Sequence, residues 1–231
     1  MSFSQTFSRI AALAAALWAA QSNLVLLTAG LYGFSYLVGG QAAEVVVLLA
    51  SMMQMALLVR WLKAGARGGF SAETLAATEE CGWAACLGVA FGQGLPYAIG
   101  FILSLVVLVL GPLGWALLGF VWFALLMAME LYSPLVSVRA RGFGEAFGLA
   151  LRLLLRLENR AAFTTSAFWY PALLGMAASF LQLLLGTGGG FVAAVLGFLL
   201  AAFQIVWYAA AQLVVYENVW RPLEANNPEA A

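Results

Sequence analysis

Long apolar stretches constrain this chain more than any motif does. A helix needs about 20 apolar residues to cross a hydrocarbon core of about 30 Å. Six stretches approach or exceed that length, at residues 23–39, 42–62, 83–110, 113–135, 161–185 and 191–216. Charged residues make up only 9% of the chain, too few to cover the surface of a soluble protein of 231 residues. The sequence therefore predicts an all-α polytopic integral membrane protein with six transmembrane helices.

Short glycine-rich turns pair these predicted spans into three helical hairpins, and longer segments between the hairpins carry most of the charge. If the N-terminus is cytoplasmic, all ten basic residues fall on the cytoplasmic side, as the positive-inside rule requires. They are Arg9, Arg60, Lys63, Arg67, Arg139, Arg141, Arg152, Arg156, Arg160 and Arg221. We therefore expect a bacterial inner (cytoplasmic) membrane protein with cytoplasmic N- and C-termini. Residues 1–221 would form a single membrane domain and residues 222–231 a short cytoplasmic tail.

Two amphipathic segments are predicted to lie in the plane of the membrane as cytoplasmic helices, at residues 2–20 and 143–158. In the first segment we expect Ile10 and Leu13 to face lipid. The same stretch also fits the first half of one long helix, or a cleaved signal peptide. The in-plane helix is favoured because one long helix would place Gln21 near the middle of the bilayer.

A stripe of arginines precedes the fifth predicted span. Most of them share one face of the predicted helix 143–158, opposite Phe143 and Phe147. A base near an anionic lipid surface contributes about 1 kcal/mol of binding free energy. The stripe predicts contact with anionic lipid headgroups, but it equally fits a role in setting topology, with pairing to Glu145 and Glu158. Its members are Arg139, Arg141, Arg152, Arg156 and Arg160.

Two features inside the predicted spans are candidates for transport. Glu130 lies one to two turns from the cytoplasmic end of the fourth span, and an ionisable group in a span is costly unless it is paired or hydrated. It is either an ion or proton site or an interfacial structural group. Gly92, Gln93, Gly94 and Pro96 interrupt the third span. Transporters expose backbone groups at such broken helices, although a proline kink that aids packing is the favoured interpretation.

Missing residue types exclude most catalytic chemistry. The chain contains no His and no Asp, which excludes Ser-His-Asp catalysis, His-containing zinc sites and imidazole-ligated pigments. Its net charge is zero, and it has no extended basic run for nucleic acid. Cys81 and Cys86 are spaced for neither a C-x-x-C redox motif nor a metal site, and we expect them to be reduced. The sequence predicts no catalytic residue, no metal and no cofactor.

One stretch resembles a known family. It runs Ser133-Pro134-Leu-Val-Ser-Val-Arg-Ala-Arg-Gly142-Phe-Gly-Glu145-Ala146, and leads through an arginine-bearing helix and a span to Val215-Tyr216, with Arg221 just beyond. The pattern is similar to a loose bacterial six-helix membrane family. That family includes the membrane-anchoring domain of some glycerophosphodiester phosphodiesterases. The resemblance covers mainly residues 110–221, and it implies fold and placement but no catalytic residue.

This sequence departs from the family pattern after the proline, where Arg139 and Arg141 stand at positions that are often acidic. Within the last predicted span and its flank, Glu217 and Arg221 are four residues apart, which predicts a helical ion pair. We expect a non-enzymatic accessory or scaffold subunit of a larger membrane assembly. Its partners would be anionic lipids and other membrane subunits, or a second copy. The alternative is a transporter, channel or lipid-handling protein that uses Glu130 and the broken third span.

Overall fold

The computed structural model describes residues 2–76, 82–107, 131–155 and 190–226. It also describes a few isolated residues between these ranges. Every regular element in these ranges is helical. The helices are α1 (Phe3–Val38), α2 (Gly40–Gly68), α3 (Ala72–Ala76), α4 (Trp83–Val107), α5 (Phe143–Leu155), α6 (Phe191–Val215) and α7 (Arg221–Asn226). Residues 131–139, here called segment 131–139, are also helical, and a π-helical turn, Tyr216–Trp220, joins α6 to α7.

Among the described residues, three helical stretches are long and apolar enough to cross a membrane. They are α1, α2 and the continuous stretch Phe191–Ala225, and an 18-residue window in each has a mean hydropathy of 1.8, 2.1 and 2.1, respectively. The all-helical prediction is confirmed for the described residues, and these three helices indicate a membrane protein. Most of the predicted spans 113–135 and 161–185 lies outside the described residues, so the number of six spans stays a prediction.

Helix α1 joins the predicted in-plane segment and the predicted first span in one helix with a kink. It begins with a capping box, in which the Gln5 N–H donates to Ser2 Oγ (3.3 Å) and the Ser2 N–H donates to Gln5 Oε1 (2.9 Å). The helix breaks at Gln21, where φ is −144° and ψ is 40°. The expectation that Ile10 and Leu13 face lipid is wrong, because both are buried in the core that α1 forms with α6.

Helices α1 and α2 run antiparallel. The chain reverses at Gly39 and Gly40, whose φ angles of 68° and 57° are unfavourable for residues with a Cβ atom. Near the turn, the Tyr32 hydroxyl donates to Gln54 Oε1 (3.0 Å) and also bonds to Ser51 Oγ. Further along, the Trp61 indole N–H donates to Gln21 Oε1 (3.2 Å). The polar group at the kink of α1 is therefore satisfied by α2.

Helix α6 packs antiparallel against α1 over most of its length. At one end, a Cβ atom added to Gly33 would lie 2.9 Å from the Ala194 carbonyl oxygen, so only glycine permits this approach. At the other end, Arg9 of α1 contacts Glu217, just beyond α6. These two contacts place the N-terminal end of α1 beside the C-terminal end of α6.

Candidate functional site

Basic residues from distant parts of the chain meet at one end of the helices. The Arg60 guanidinium lies 4.4 Å from the centre of the Trp83 ring, which joins the C-terminal part of α2 to the start of α4. Lys63 Nζ donates to the Ala140 carbonyl (2.6 Å) at the end of segment 131–139. We call this the basic end. Its described bases are Arg9, Arg60, Lys63, Arg67, Arg139, Arg141 and Arg221, and Arg152 lies on α5, which starts there.

A bidentate ion pair joins the two ends of the described chain. Arg9 Nε donates to Glu217 Oε2 at 3.1 Å and Arg9 Nη2 to Glu217 Oε1 at 3.0 Å. The predicted partner of Glu217 was Arg221, and this prediction is wrong. Glu217 bonds instead to Arg9 because α1 lies alongside α6, and Arg221 is exposed. The planar guanidinium matches the carboxylate fork, which favours a fixed geometry over a loose surface pair.

A second network holds α7 against segment 131–139. Arg139 Nε donates to Glu224 Oε1 at 2.7 Å, and the Tyr216 hydroxyl donates to Glu224 Oε2 at 2.8 Å. Nearby, the Trp220 indole N–H donates to the Leu131 carbonyl at 2.7 Å. Arg139 was predicted to contact lipid headgroups, and the structure gives it a carboxylate partner within the protein.

Helix α5 has a buried side and an exposed side, but Phe143, which the sequence places on the apolar face, is exposed. Ala146, Ala150 and Leu153 are buried, whereas Arg141, just before the helix, and Arg152 are exposed. The only side-chain bond that the described residues provide to Arg152 runs from its Nε to the Gly148 carbonyl (3.2 Å). The described part of the chain offers no carboxylate to either guanidinium, and Glu158 lies outside it. Arg156 and Arg160 lie outside the described residues.

The predicted break in the third span is not present. Helix α4 continues without interruption through Gly92, Gln93, Gly94 and Pro96. Proline is tolerated there because neighbouring helices can satisfy groups that it leaves unpaired in a membrane helix. A role of these residues in transport stays a prediction.

The side chain of Gln93 connects α4 to segment 131–139. Gln93 Nε2 donates to Ser137 Oγ (2.8 Å), and Ser133 Oγ donates to Gln93 Oε1 (2.9 Å), with all three residues buried. Both ends of the amide are thus bonded to segment 131–139. Such amide bonds connect membrane helices and usually contribute about 0.6–2 kcal/mol. The arrangement is typical of interhelical bonding.

Two further expectations concern single residues. Glu130 lies outside the described residues, and its role as an ion or proton site stays a prediction. Cys86 was expected to be reduced, but the structure shows it disulfide-bonded. The described residues contain no group of three or more His, Cys, Asp or Glu that would hold a metal ion.

Sequence reasoning missed the network around Glu224. The residue lies beyond the last predicted span, where the sequence suggests only a short tail. One signal was available, because each of the ten carboxylates in so apolar a chain has a high chance of being paired. Nothing in the spacing of Arg139, Tyr216 and Glu224 indicates their contact, which depends on how segment 131–139 packs.

Comparison of the chain with protein-family models, with curated proteins and with solved structures found no match. The contacts at the basic end are therefore the main evidence on function. The resemblance to the glycerophosphodiester phosphodiesterase anchoring family stays an expectation from the sequence.

Proposed function

We propose that the protein is a non-enzymatic, multi-pass membrane protein that acts as an accessory or scaffold subunit of a larger membrane assembly. The observation that supports this function is the use of polar side chains to join helices to one another. Arg9, Arg139 and Gln93 each bond to a residue of another helix, at distances between 2.7 and 3.1 Å. Groups bonded in this way fix helices relative to one another.

The same end offers a surface to external partners. Arg141 and Arg152 are exposed beside the buried apolar face of α5. In the proposed arrangement these two residues contact anionic lipid headgroups, each with a contribution of about 1 kcal/mol. Arg156 and Arg160 would extend the contact. A rigid bundle with a basic, lipid-facing helix suits a subunit that positions other membrane proteins against one leaflet.

The number of spans, the kind of membrane and the side on which the termini lie are proposed from the sequence. Six spans in three hairpins, a bacterial inner membrane and cytoplasmic termini follow from the apolar stretches and from the positive-inside rule. The resemblance over residues 110–221 implies the same placement. The gathering of distant bases at one end of the described helices supports this proposal, since all of them then meet the same leaflet.

Gentle extraction tests the scaffold function. The protein is expressed at its natural level, cross-linked in the membrane, extracted in a mild detergent and separated by native electrophoresis. We expect migration with other membrane subunits in a fixed stoichiometry. Replacing Arg141 and Arg152 together by Gln should weaken binding to anionic liposomes several-fold, whereas Arg9→Gln, which changes a paired base, should alter it less. A lone monomer without cross-linked partners would contradict the proposal.

The transport alternative is tested on the same preparation. Glu130 is its remaining candidate residue, because α4 is continuous through Gly92 to Pro96. Proteoliposomes are assayed for proton and cation flux, and for lipid transfer, with Glu130→Gln as the variant. Flux or transfer that is lost in Glu130→Gln would favour the alternative over the scaffold.

A further inference from the structure

The last described helix, α7, has little apolar contact with the rest of the protein. The chain is anchored up to Trp220, which is buried and donates its indole N–H to the Leu131 carbonyl oxygen (2.7 Å). Among residues 221–225, which follow it, only Glu224 is partly buried, and the other four are exposed. Burial of so little apolar surface stabilises α7 only weakly. Its position therefore depends largely on the bonds of Glu224.

The carboxylate of Glu224 lies where two donors from other parts of the chain converge. Its Oε1 accepts from Arg139 Nε at 2.7 Å, and its Oε2 accepts from the Tyr216 hydroxyl at 2.8 Å. A second base, Arg221, is close enough to interact electrostatically with Tyr216. A phosphate group offers the same kind of charged oxygen acceptor as a carboxylate. The donors that hold Glu224 therefore also suit a phosphate group.

Glu224 does not use all the donors of the Arg139 guanidinium. Only Arg139 Nε is bonded, and the described part of the chain gives its Nη atoms no acceptor. Arg9 differs, because it binds Glu217 with both Nε and Nη2. A guanidinium carries several N–H donors and binds the oxygens of a phosphate in a bidentate manner. A phosphate group at Arg139 would therefore accept a hydrogen bond that Glu224 does not accept.

The ion pair between Arg139 and Glu224 can exchange with an external anion. Both side chains are partly exposed, at 30% and 20%, respectively. Ion pairs with this exposure contribute little to stability and are screened by salt. Arg139 belongs to the basic end, which the proposed function places against anionic headgroups. The phosphate groups of those lipids are therefore the anions that compete with Glu224 at the highest local concentration.

We propose that α7 is a latch, in which Glu224 occupies a phosphate site made by Arg139 and Tyr216. The phosphate group of an anionic phospholipid displaces the carboxylate, and α7 then separates from segment 131–139. The inference rests on the proposed function, because it needs the basic end to lie against anionic lipid. It goes further by making one lipid contact exchangeable with a bond inside the protein, so that lipid binding controls whether the C-terminal helix is docked.

Amide hydrogen exchange tests whether lipid opens the latch. The full chain is held in micelles of a neutral detergent, and phosphatidylglycerol, phosphatidylcholine or inorganic phosphate is added at equal concentration. We expect exchange in residues 221–226 to become about threefold faster with phosphatidylglycerol and to stay unchanged with phosphatidylcholine. Glu224→Ala removes both acceptor oxygens and should exchange at the fast rate without lipid. Unchanged exchange with phosphatidylglycerol would overturn the latch, and opening by inorganic phosphate alone would overturn its assignment to lipid.

Lipid retention tests the phosphate site itself. Native mass spectrometry measures the phosphatidylglycerol that each chain retains from the same micelles. Glu224→Ala vacates the site and should retain this lipid with about fivefold higher affinity. Glu73→Ala is the charge-matched control, because Glu73 is exposed on α3 and forms no ion pair with the described bases. Adding Arg139→Gln to Glu224→Ala should remove the gain. Equal retention in Glu224→Ala and Glu73→Ala, or a gain that survives Arg139→Gln, would overturn the inference.

Two further variants separate the latch from the proposed function and from misfolding. Replacing Arg141 and Arg152 together by Gln tests the lipid contact at α5. Lower retention in that variant, without a gain in Glu224→Ala, would overturn the latch and leave the contact at α5 intact. The opposite pair of results would overturn that contact and support the latch. If Glu224→Ala lowers the unfolding temperature, Glu224→Gln replaces it, since it removes the charge and keeps an acceptor for Tyr216, and it should show the same gain.

Discussion

At the scale of single residues, the choice of ion-pair partner shows what tertiary packing adds to sequence. Glu217 has a base four residues ahead on its own helix, and helical spacing alone favours that pair. The structure pairs it with Arg9, which is 208 residues away in the sequence, through two hydrogen bonds. A bidentate contact between two fixed helices is geometrically better than a contact between two flexible side chains on one helix.

Double-mutant cycles measure the interaction energy of Glu217 with Arg9 and with Arg221. We expect Arg9→Gln and Glu217→Gln to show a coupling energy of about 0.5–1 kcal/mol in the free energy of unfolding, because both side chains are partly exposed. The unfolding is followed by circular dichroism in mixed micelles. The control cycle, Arg221→Gln with Glu217→Gln, should show coupling close to zero. A larger coupling to Arg221 would show that the helical pair is the one formed in solution.

At the scale of elements, the contact between α4 and α5 depends on one glycine. A Cβ atom at Gly92 would lie 2.5 Å from the Phe143 carbonyl oxygen and 2.7 Å from Ala146 Cβ. Helix α5 therefore approaches the backbone of α4 directly, as small residues permit in membrane proteins. Gly94, two residues further, has no neighbour within 4 Å of an added Cβ. The glycines in this stretch thus have different roles, although their sequence context is nearly the same.

Alanine substitution at Gly92 and at Gly94 tests whether only Gly92 is needed for the close contact between α4 and α5. Gly92→Ala should destabilise the protein by about 1–3 kcal/mol, because α5 must move away from α4. Gly94→Ala should be neutral or slightly stabilising, since alanine is the better helix former and meets open space. Thermal unfolding of the two variants in one detergent gives the comparison. Equal loss of stability in both variants would be inconsistent with the close approach at Gly92.

The elements themselves follow from sequence, whereas their contacts do not. Apolar length predicts α2, α6 and the second half of α1, since only a helix satisfies its own backbone in hydrocarbon. The polar cluster at Gln21 marks the position where α1 kinks. The continuity of α4 through Pro96 and the bonds of Gln93 to Ser133 and Ser137 were not predictable. They depend on which helix packs against α4, and a single sequence does not show which helices are packed together.

At the scale of the whole molecule, two observations bear on orientation in opposite ways. The positive-inside rule predicts that the basic end is cytoplasmic. Cys86 lies near that end, at the start of α4, and is disulfide-bonded. Disulfides persist in oxidising compartments and are rare in the cytosol. We give the rule more weight, because it rests on ten bases distributed along the chain, whereas the disulfide is a single bond.

Thiol labelling determines the orientation. In a variant without native cysteines, Ser71→Cys lies beside the basic end and Gln41→Cys at the α1–α2 turn, both at exposed positions. We expect a membrane-impermeant maleimide to label Gln41→Cys in right-side-out vesicles and Ser71→Cys in inside-out vesicles. The reverse pattern would place the basic end outside. Labelling of both from one side would show that α2 does not cross the membrane.

The two ion pairs also have a consequence for biosynthesis. Arg9 is translated 208 residues before Glu217, and Arg139 85 residues before Glu224. At about 5–20 residues per second, Arg9 waits about 10–40 s for its carboxylate. Until then α1 has neither its ion-pair partner nor the surface of α6 that buries Ile10 and Leu13. A nascent chain that stalls before Tyr216 would leave both guanidiniums uncompensated, so the ribosome must pass this point before the bundle can close.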